Sequence, residues 1–139
     1  MQSTAVDTDR CRELATDFIS FLETGVAPER LFAPDVFVDC TLPLWRMQTG
    51  NAEDAVAMRR AAHASAGKIG RPRYDRTERG FVLEAEETWD DEGESWYCRE
   101  MFRADVVDGS IAELSVYCTG DWDSARMAEH RAAVSLLRP

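Results

Sequence analysis

The stretch Trp96-Tyr97-Cys98-Arg99-Glu100-Met101-Phe102 holds the carboxylate best placed to do chemistry in this chain. Alternate side chains of an extended strand share a face, so Cys98, Glu100 and Phe102 stand together. The other face carries Arg99, Arg103 and Asp105, which would be costly to bury. Glu100 is therefore expected inside, between a thiol and an aromatic ring. A buried carboxyl with no cation close by keeps its proton near neutral pH and can act as a general acid or base. A buried arginine, Arg46 or Arg59, would instead make Glu100 one half of a structural ion pair. The preceding strand repeats the pattern, with Phe81, Leu83, Ala85, Glu87 and Trp89 forming its apolar face and Glu84, Glu86 and Thr88 its solvent face.

The other reactive groups carry plainer expectations. His63 and His130 fall on expected helices and are expected at the surface; His63 would reach a pocket mouth only if its helix face turned inward. Cys11, Cys40, Cys98 and Cys118 are widely spaced and contain no C-x-x-C pair, which argues against zinc and against a thioredoxin-type motif. They read as packed thiols. No G-x-G-x-x-G or P-loop is present, so no nucleotide, metal or other cofactor is expected.

These side chains need strands and helices to position them. Leu14, Phe18, Phe21 and Leu22 recur at helical spacing and predict a helix from about Asp7 to Glu23, capped by Asp7 or Thr8 and stopped by Gly25. A short helix is expected at Pro28–Phe32. Val36–Leu42 reads as a strand ended by Pro43, followed by a loop, Leu44–Thr49, that holds Trp45 and Met47. Asn51 caps the next helix, which ends near Gly67. Four antiparallel strands follow, at Arg73–Glu78, Phe81–Trp89, Ser95–Val107 and Ile111–Thr119, with Asp108-Gly109 as the strongest hairpin signal. Asp121 or Asp123 caps a closing helix to about Leu137, and Trp122 anchors it by packing.

The chain has 139 residues and a net charge of −10. That length suits a single domain, 1–139, with a core of its own. The charge disfavours nucleic acid and anionic membranes as partners. No apolar run would span a bilayer, and Met1–Asp7 lacks a signal-peptide plan. A cytoplasmic protein is expected.

The order of elements, together with Phe18–Gly25, Leu31-Phe32-Ala33-Pro34-Asp35-Val36-Phe37-Val38-Asp39, Gly50 before the third helix and the hairpin Val107–Ile111, resembles the NTF2-like (SnoaL-like, ketosteroid-isomerase-like) superfamily over nearly the whole chain. The resemblance implies an α+β fold, a cone-shaped half-barrel in which a curved antiparallel sheet wraps three N-terminal helices and a C-terminal helix closes the chain. Aligned with ketosteroid isomerases, their tyrosine falls on Phe18, their base on Cys40 beside Asp39, and their second acid on Glu100. The aspartate and histidine of SnoaL-like cyclases fall on Leu114 and Val116. Only Glu100 keeps an acid, so the resemblance points to fold more than to activity. The family pattern also implies a bulge in the last strand that turns Leu114, Val116 and Cys118 inward; simple pairing of Ile111 with Val106 would turn Glu113, Ser115 and Tyr117 inward instead.

A pocket is thus expected, walled by Phe18, Trp89 or Trp96 and Phe102, with Trp45 and Met47 on a lid loop, Cys98 and Glu87 on the strands, and Glu100 and Cys40 as candidate catalytic groups. Few polar groups among aromatic walls suit a small apolar molecule. Three functions fit: a cyclase, isomerase or hydratase using Glu100, a non-catalytic binding domain, or a dimerisation module. A homodimer is expected from the outward apolar set Val82, Tyr97, Met101 and, in one register, Tyr117.

Overall fold

The structure is a computed structural model that describes residues 7–139; the Met1–Val6 part of the segment read for a signal peptide lies outside the described residues. Helix α1 (Thr8–Thr24) starts where Asp7 accepts the Asp9 and Arg10 amides and stops at Gly25, whose φ of 75° no β-carbon favours. Its buried stripe, Cys11, Leu14, Ala15, Phe18, Phe21 and Leu22, follows helical spacing and packs over β3 and β4. Strand β1 (Phe32–Thr41) and the short β2 (Arg46–Thr49) come next, then α2 (Ala52–Ala62), capped by Asn51 accepting the Asp54 amide at 2.8 Å.

Four strands follow: β3 (Gly67–Arg76), β4 (Gly80–Asp91), β5 (Glu94–Val107) and β6 (Ser110–Cys118). Helix α3 (Ser124–Ala133) is capped by Asp123, not Asp121, and stops short of Leu137. Trp122 anchors it: its backbone bridges to Tyr97, its ring lies 5.8 Å from that of Tyr97, and Arg126 stacks over it. No helix among the described residues is long and apolar enough to cross a membrane.

The sheet order is β2-β1-β6-β5-β4-β3. Several expectations change here. The sheet is mixed, not wholly antiparallel, because β6 returns beside β1 and runs parallel to it. In place of the helix expected at Pro28–Phe32 there is a single turn closed by the Leu31 amide on the Pro28 carbonyl, and Phe32 already starts β1; Arg30, at φ 65°, takes the chain out of helical geometry. Two helices, not three, therefore precede the main strands among the described residues. The expected loop Leu44–Thr49 contains β2, paired with β1 through Cys40↔Met47 and Val38↔Thr49. The second helix ends at Ala62, and β3 begins at Gly67, six residues before the expected Arg73.

The inner faces of β4 and β5 carry the expected residues. Phe81, Leu83, Ala85, Glu87 and Trp89 are buried on β4, and Cys98, Glu100, Phe102, Ala104 and Val106 on β5. One extra residue sits in β6: Val106 pairs with Ile111, yet Ala104 pairs with Leu114 and Glu100 with Cys118. That bulge puts Leu114, Val116 and Cys118 on the inner side, with Tyr117 outside and 58 % exposed. Asp108 and Gly109 both have positive φ, as a tight two-residue hairpin requires.

Gly80 closes the turn after β3, its carbonyl accepting the Thr77 amide at 3.0 Å, and starts β4 against β5, where an added β-carbon would collide with the Ala104 carbonyl oxygen. Gly80→Ala is expected to cost about 1–3 kcal/mol of stability through overpacking, read as a lower urea midpoint.

Candidate active site

Between α1, α2 and the concave side of β1, β5 and β6 lies a cavity of about 110 Å³, several times the room one water needs. Its walls are mostly apolar. Phe18 and Phe102 meet edge to face at 4.8 Å, and Phe32 stands edge-on to Phe21 at 5.3 Å. Val38, Leu42, Met47, Met58, Leu114 and Val116 complete most of the lining. The polar groups bordering it are Cys40, Arg59, His63, Glu100, Cys118 and Asp121.

Glu100 is 6 % exposed. Its Oε1 accepts the Cys98 thiol at 3.0 Å and lies 3.8 Å from Cys118 Sγ; its Oε2 has no hydrogen-bond partner among the described residues. Neither expected arginine pairs with it. Arg46 forms a two-point bond with Asp39 on the outer side of β1, and Arg59 bonds Glu87 at 2.9 Å. Burial first, then the neighbouring Glu87 and Cys118, push the Glu100 pKa well above the ordinary carboxylate range.

Glu87, diagonal to Glu100 across β4 and β5, has the opposite surroundings. Its Oε2 accepts from Arg59 and, at 3.1 Å, from His63 Nδ1. Burial works to raise its pKa, but the His63 hydrogen bond and the Arg59 charge and hydrogen bond outweigh this and hold it low. One ligand atom from each of His63, Glu87 and Glu100 falls within 4.8 Å of the others. Two carboxylates so close do not both ionise readily; Glu87, held by cations, keeps the charge, and Glu100 keeps the proton.

His63 follows the end of α2 and is half-buried, its side chain only 8 % exposed, not at the surface as expected. Its ring lies on Trp89 at 4.1 Å, with Nδ1 toward Glu87 and Nε2 3.5 Å from Asp121. Burial opposes its protonation, yet Asp121 and Glu87 together raise its pKa above the ordinary value. Ala55, Arg59 and His63 recur every fourth residue, which gives α2 and its end one inward stripe. That spacing was the available signal for Arg59 and His63 as site residues.

Of the residues expected at the site, Phe18, Cys40, Met47, Glu100, Phe102, Leu114, Val116 and Cys118 border the cavity. Trp45 does not: at the β1–β2 tip it is 70 % exposed, beside Leu44 at 86 %. Glu87, Trp89 and Cys98 lie behind the wall, where Glu87 orients Arg59 and His63, Trp89 supports His63, and Cys98 bonds Glu100. Trp96 stacks on Trp89, away from the cavity. Cys98, Glu100 and Cys118 form a second set with ligand atoms within 4.8 Å, and it is the set able to take a soft cation without breaking the Glu87 ion pair.

No family model and no curated protein matches the sequence. Solved structures do. An NTF2-like protein from Anabaena variabilis superposes with a TM-score of 0.68 at 16 % identity, over 86 % of this chain and 97 % of that one. The fold is NTF2-like. A protein provisionally described as a polyketide cyclase, from Pseudomonas putida, is 18 % identical with a TM-score of 0.59, over 86 % of this chain and 96 % of its own. Another, provisionally described as a ketosteroid isomerase, from Kribbella flavida, is 16 % identical with a TM-score of 0.61, over 96 % of this chain and 93 % of its own. Identities this low establish the NTF2-like architecture; the chemistry must come from the residues around the cavity.

Proposed function

We propose that this NTF2-like chain, as one domain, binds a small, largely apolar molecule bearing a carbonyl and moves protons on it by general acid–base catalysis, without a cofactor. The observation that carries this is Glu100: a buried carboxyl bordering an apolar cavity, with one oxygen unpartnered among the described residues and the nearest buried cation bound to Glu87. A protonated Glu100 presents an O–H to a ligand oxygen and stabilises the enol or enolate that forms as a carbon–hydrogen bond breaks. His63, positioned by Glu87 and Asp121 at the same cavity, is the second proton-transfer group: in its neutral form, with Nδ1–H on Glu87, it takes the proton leaving carbon at Nε2. Cyclisation, isomerisation and hydration all need such an acid paired with a second group, and the polyketide cyclase and ketosteroid isomerase descriptions among the structural neighbours lie in these classes.

The test begins with native mass spectrometry of protein purified from its own host, to catch a retained ligand. That ligand, or small cyclic ketones in its place, is then incubated in D₂O with wild type and with Glu100→Gln. Deuterium is expected beside the carbonyl with wild type and not with the variant. Binding with no exchange in either protein would make the domain a non-catalytic binder.

The proposal extends to a cytoplasmic homodimer joined through the outer sheet face. Met101 and Tyr117 are neighbours across β5 and β6 there, 44 % and 58 % exposed, with Phe37 of β1 at 38 %. An apolar patch of this kind on a sheet suits a two-fold contact. Sedimentation at micromolar concentration is expected to show the dimer, and Tyr117→Glu to yield monomer; wild type that sediments only as monomer would contradict this.

A further inference from the structure

We propose that Cys98, Glu100 and Cys118 form a binding site for one thiophilic divalent cation of the zinc and cadmium class, entered through the cavity. The site goes beyond the acid reading of Glu100 and stands on its own geometry.

The ligand atoms lie nearly where a metal would hold them. Cys118 ends β6 directly opposite Glu100 on β5, and Cys98 shares the inner face of β5 with Glu100. Both thiols point at one carboxyl oxygen: Cys98 Sγ is 3.0 Å and Cys118 Sγ 3.8 Å from Glu100 Oε1. The two sulfurs and a carboxyl oxygen fall within 4.8 Å of one another. Tetrahedral zinc, with bonds of about 2.3 Å to sulfur and about 2.1 Å to oxygen, holds two sulfurs about 3.8 Å apart and sulfur about 3.6 Å from oxygen. Each edge of the triangle therefore changes by no more than about 1 Å on binding, within reach of small side-chain rotations.

A second observation points to a ligand at this spot. Glu100 is 6 % exposed and borders the cavity, yet its Oε2 has no hydrogen-bond partner among the described residues. Buried polar atoms are rarely left so. The Gly120 amide donates to Cys118 Sγ at 3.3 Å, the kind of supporting contact that fixes a thiolate ligand. Two thiolates and a carboxylate suit zinc or cadmium, not magnesium or calcium, which take oxygen ligands. The cluster of His63, Glu87 and Glu100 is the poorer host, because a cation there would displace Arg59 and His63 from Glu87.

On binding, Cys98, Glu100 and Cys118 each give a proton to solvent, and two sulfurs and one oxygen bond the dication. One net negative charge remains, and Arg59 borders the same cavity. The fourth position opens on the cavity, which Glu100 and Cys118 both border, and takes water or a ligand oxygen. Nothing is oxidised or reduced. A carboxylate that holds the cation has no proton to give, so metal binding and acid chemistry at Glu100 exclude one another.

The test uses the whole chain, reduced and metal-free, titrated with zinc against a chromophoric chelator and with cobalt(II) as a spectroscopic probe. One zinc per chain is expected, and one cobalt with sulfur-to-metal charge-transfer absorption and tetrahedral visible bands. Cys98→Ser and Cys118→Ser are each expected to weaken zinc binding about 100-fold or more, and Glu100→Gln about 10-fold or more, since losing a mere supporting partner already costs roughly 10–100-fold. Cys40→Ser and His63→Gln are expected to retain it. Where the metal-free protein exchanges deuterium, stoichiometric zinc is expected to stop the exchange. Wild type that takes no zinc at micromolar concentration, or binds cobalt without thiolate absorption, overturns the proposal, and both are read without any variant having to fold. Binding lost in His63→Gln but kept in Cys98→Ser and Cys118→Ser would overturn it as well, by placing the cation at the other cluster. Zinc held through both thiols in a protein that never exchanges deuterium would support the site and overturn the acid reading alone.

Discussion

Glu100→Gln is expected to keep the fold and the ligand while lowering turnover about 100-fold or more, the usual contribution of a positioned acid. The amide matches the neutral carboxyl in shape but has no transferable proton. Because the folded pKa of Glu100 lies above its unfolded value, the folded state binds the extra proton. Wild type therefore loses stability as pH rises above about 4.3, the unfolded value, until the folded carboxyl ionises. The glutamine variant has no such loss. Its melting temperature at pH 7 is expected to equal or exceed that of wild type, with the difference closing toward pH 4. Had Glu100 been half of a buried ion pair, the same change would lower stability by several kcal/mol. Thermal melts beside the turnover assay read both signs at once.

Glu87→Gln is expected to do the reverse and destabilise the domain by about 3–5 kcal/mol, because it strands a buried cation. Arg59 and Glu87 are both largely enclosed, at 14 % and 3 % side-chain exposure, and His63 depends on the same carboxylate. The Glu87 pKa is held below its unfolded value, so its contribution is complete above about pH 4.3 and is lost as pH falls through the folded value. The gap between wild type and Glu87→Gln in urea melts is therefore expected to be widest near neutral pH and to shrink in acid. Equal stability at pH 7 would mean that the Arg59–Glu87–His63 group contributes nothing net to the fold.

The contrast between these glutamates was only half legible in the sequence. Alternation placed Glu87 and Glu100 on inner faces, since the alternative buried Arg99, Arg103 and Asp105. It could not say which one would meet a cation, because that depends on how α2 crosses the sheet. Arg59 reaches over Glu87, and Arg46, an equal candidate by sequence, sits across β1 beside Asp39. The caps Asp7, Asn51 and Gly25 were readable because each acts within a few residues. β2 was not, since four residues between Trp45 and Gly50 gain strand geometry only by pairing with β1. Trp45 illustrates the same gap: its place on a loop suggested a ligand contact, while the hairpin turns the ring into solvent. His63 was obscured because its burial depends on Trp89, Glu87 and Asp121, contributed by distant parts of the chain.

The protonation state of Glu100 is the claim on which the chemistry depends. The direct measurement is carbon-13 NMR of the glutamate side-chain carboxyls across a pH titration, with the Glu100 signal assigned by its loss in Glu100→Gln. A Glu100 carboxyl still protonated well above the ordinary carboxylate range is expected, beside a Glu87 carboxyl that ionises below it. A Glu100 signal that titrates within the ordinary range would contradict this and remove the acid from the site.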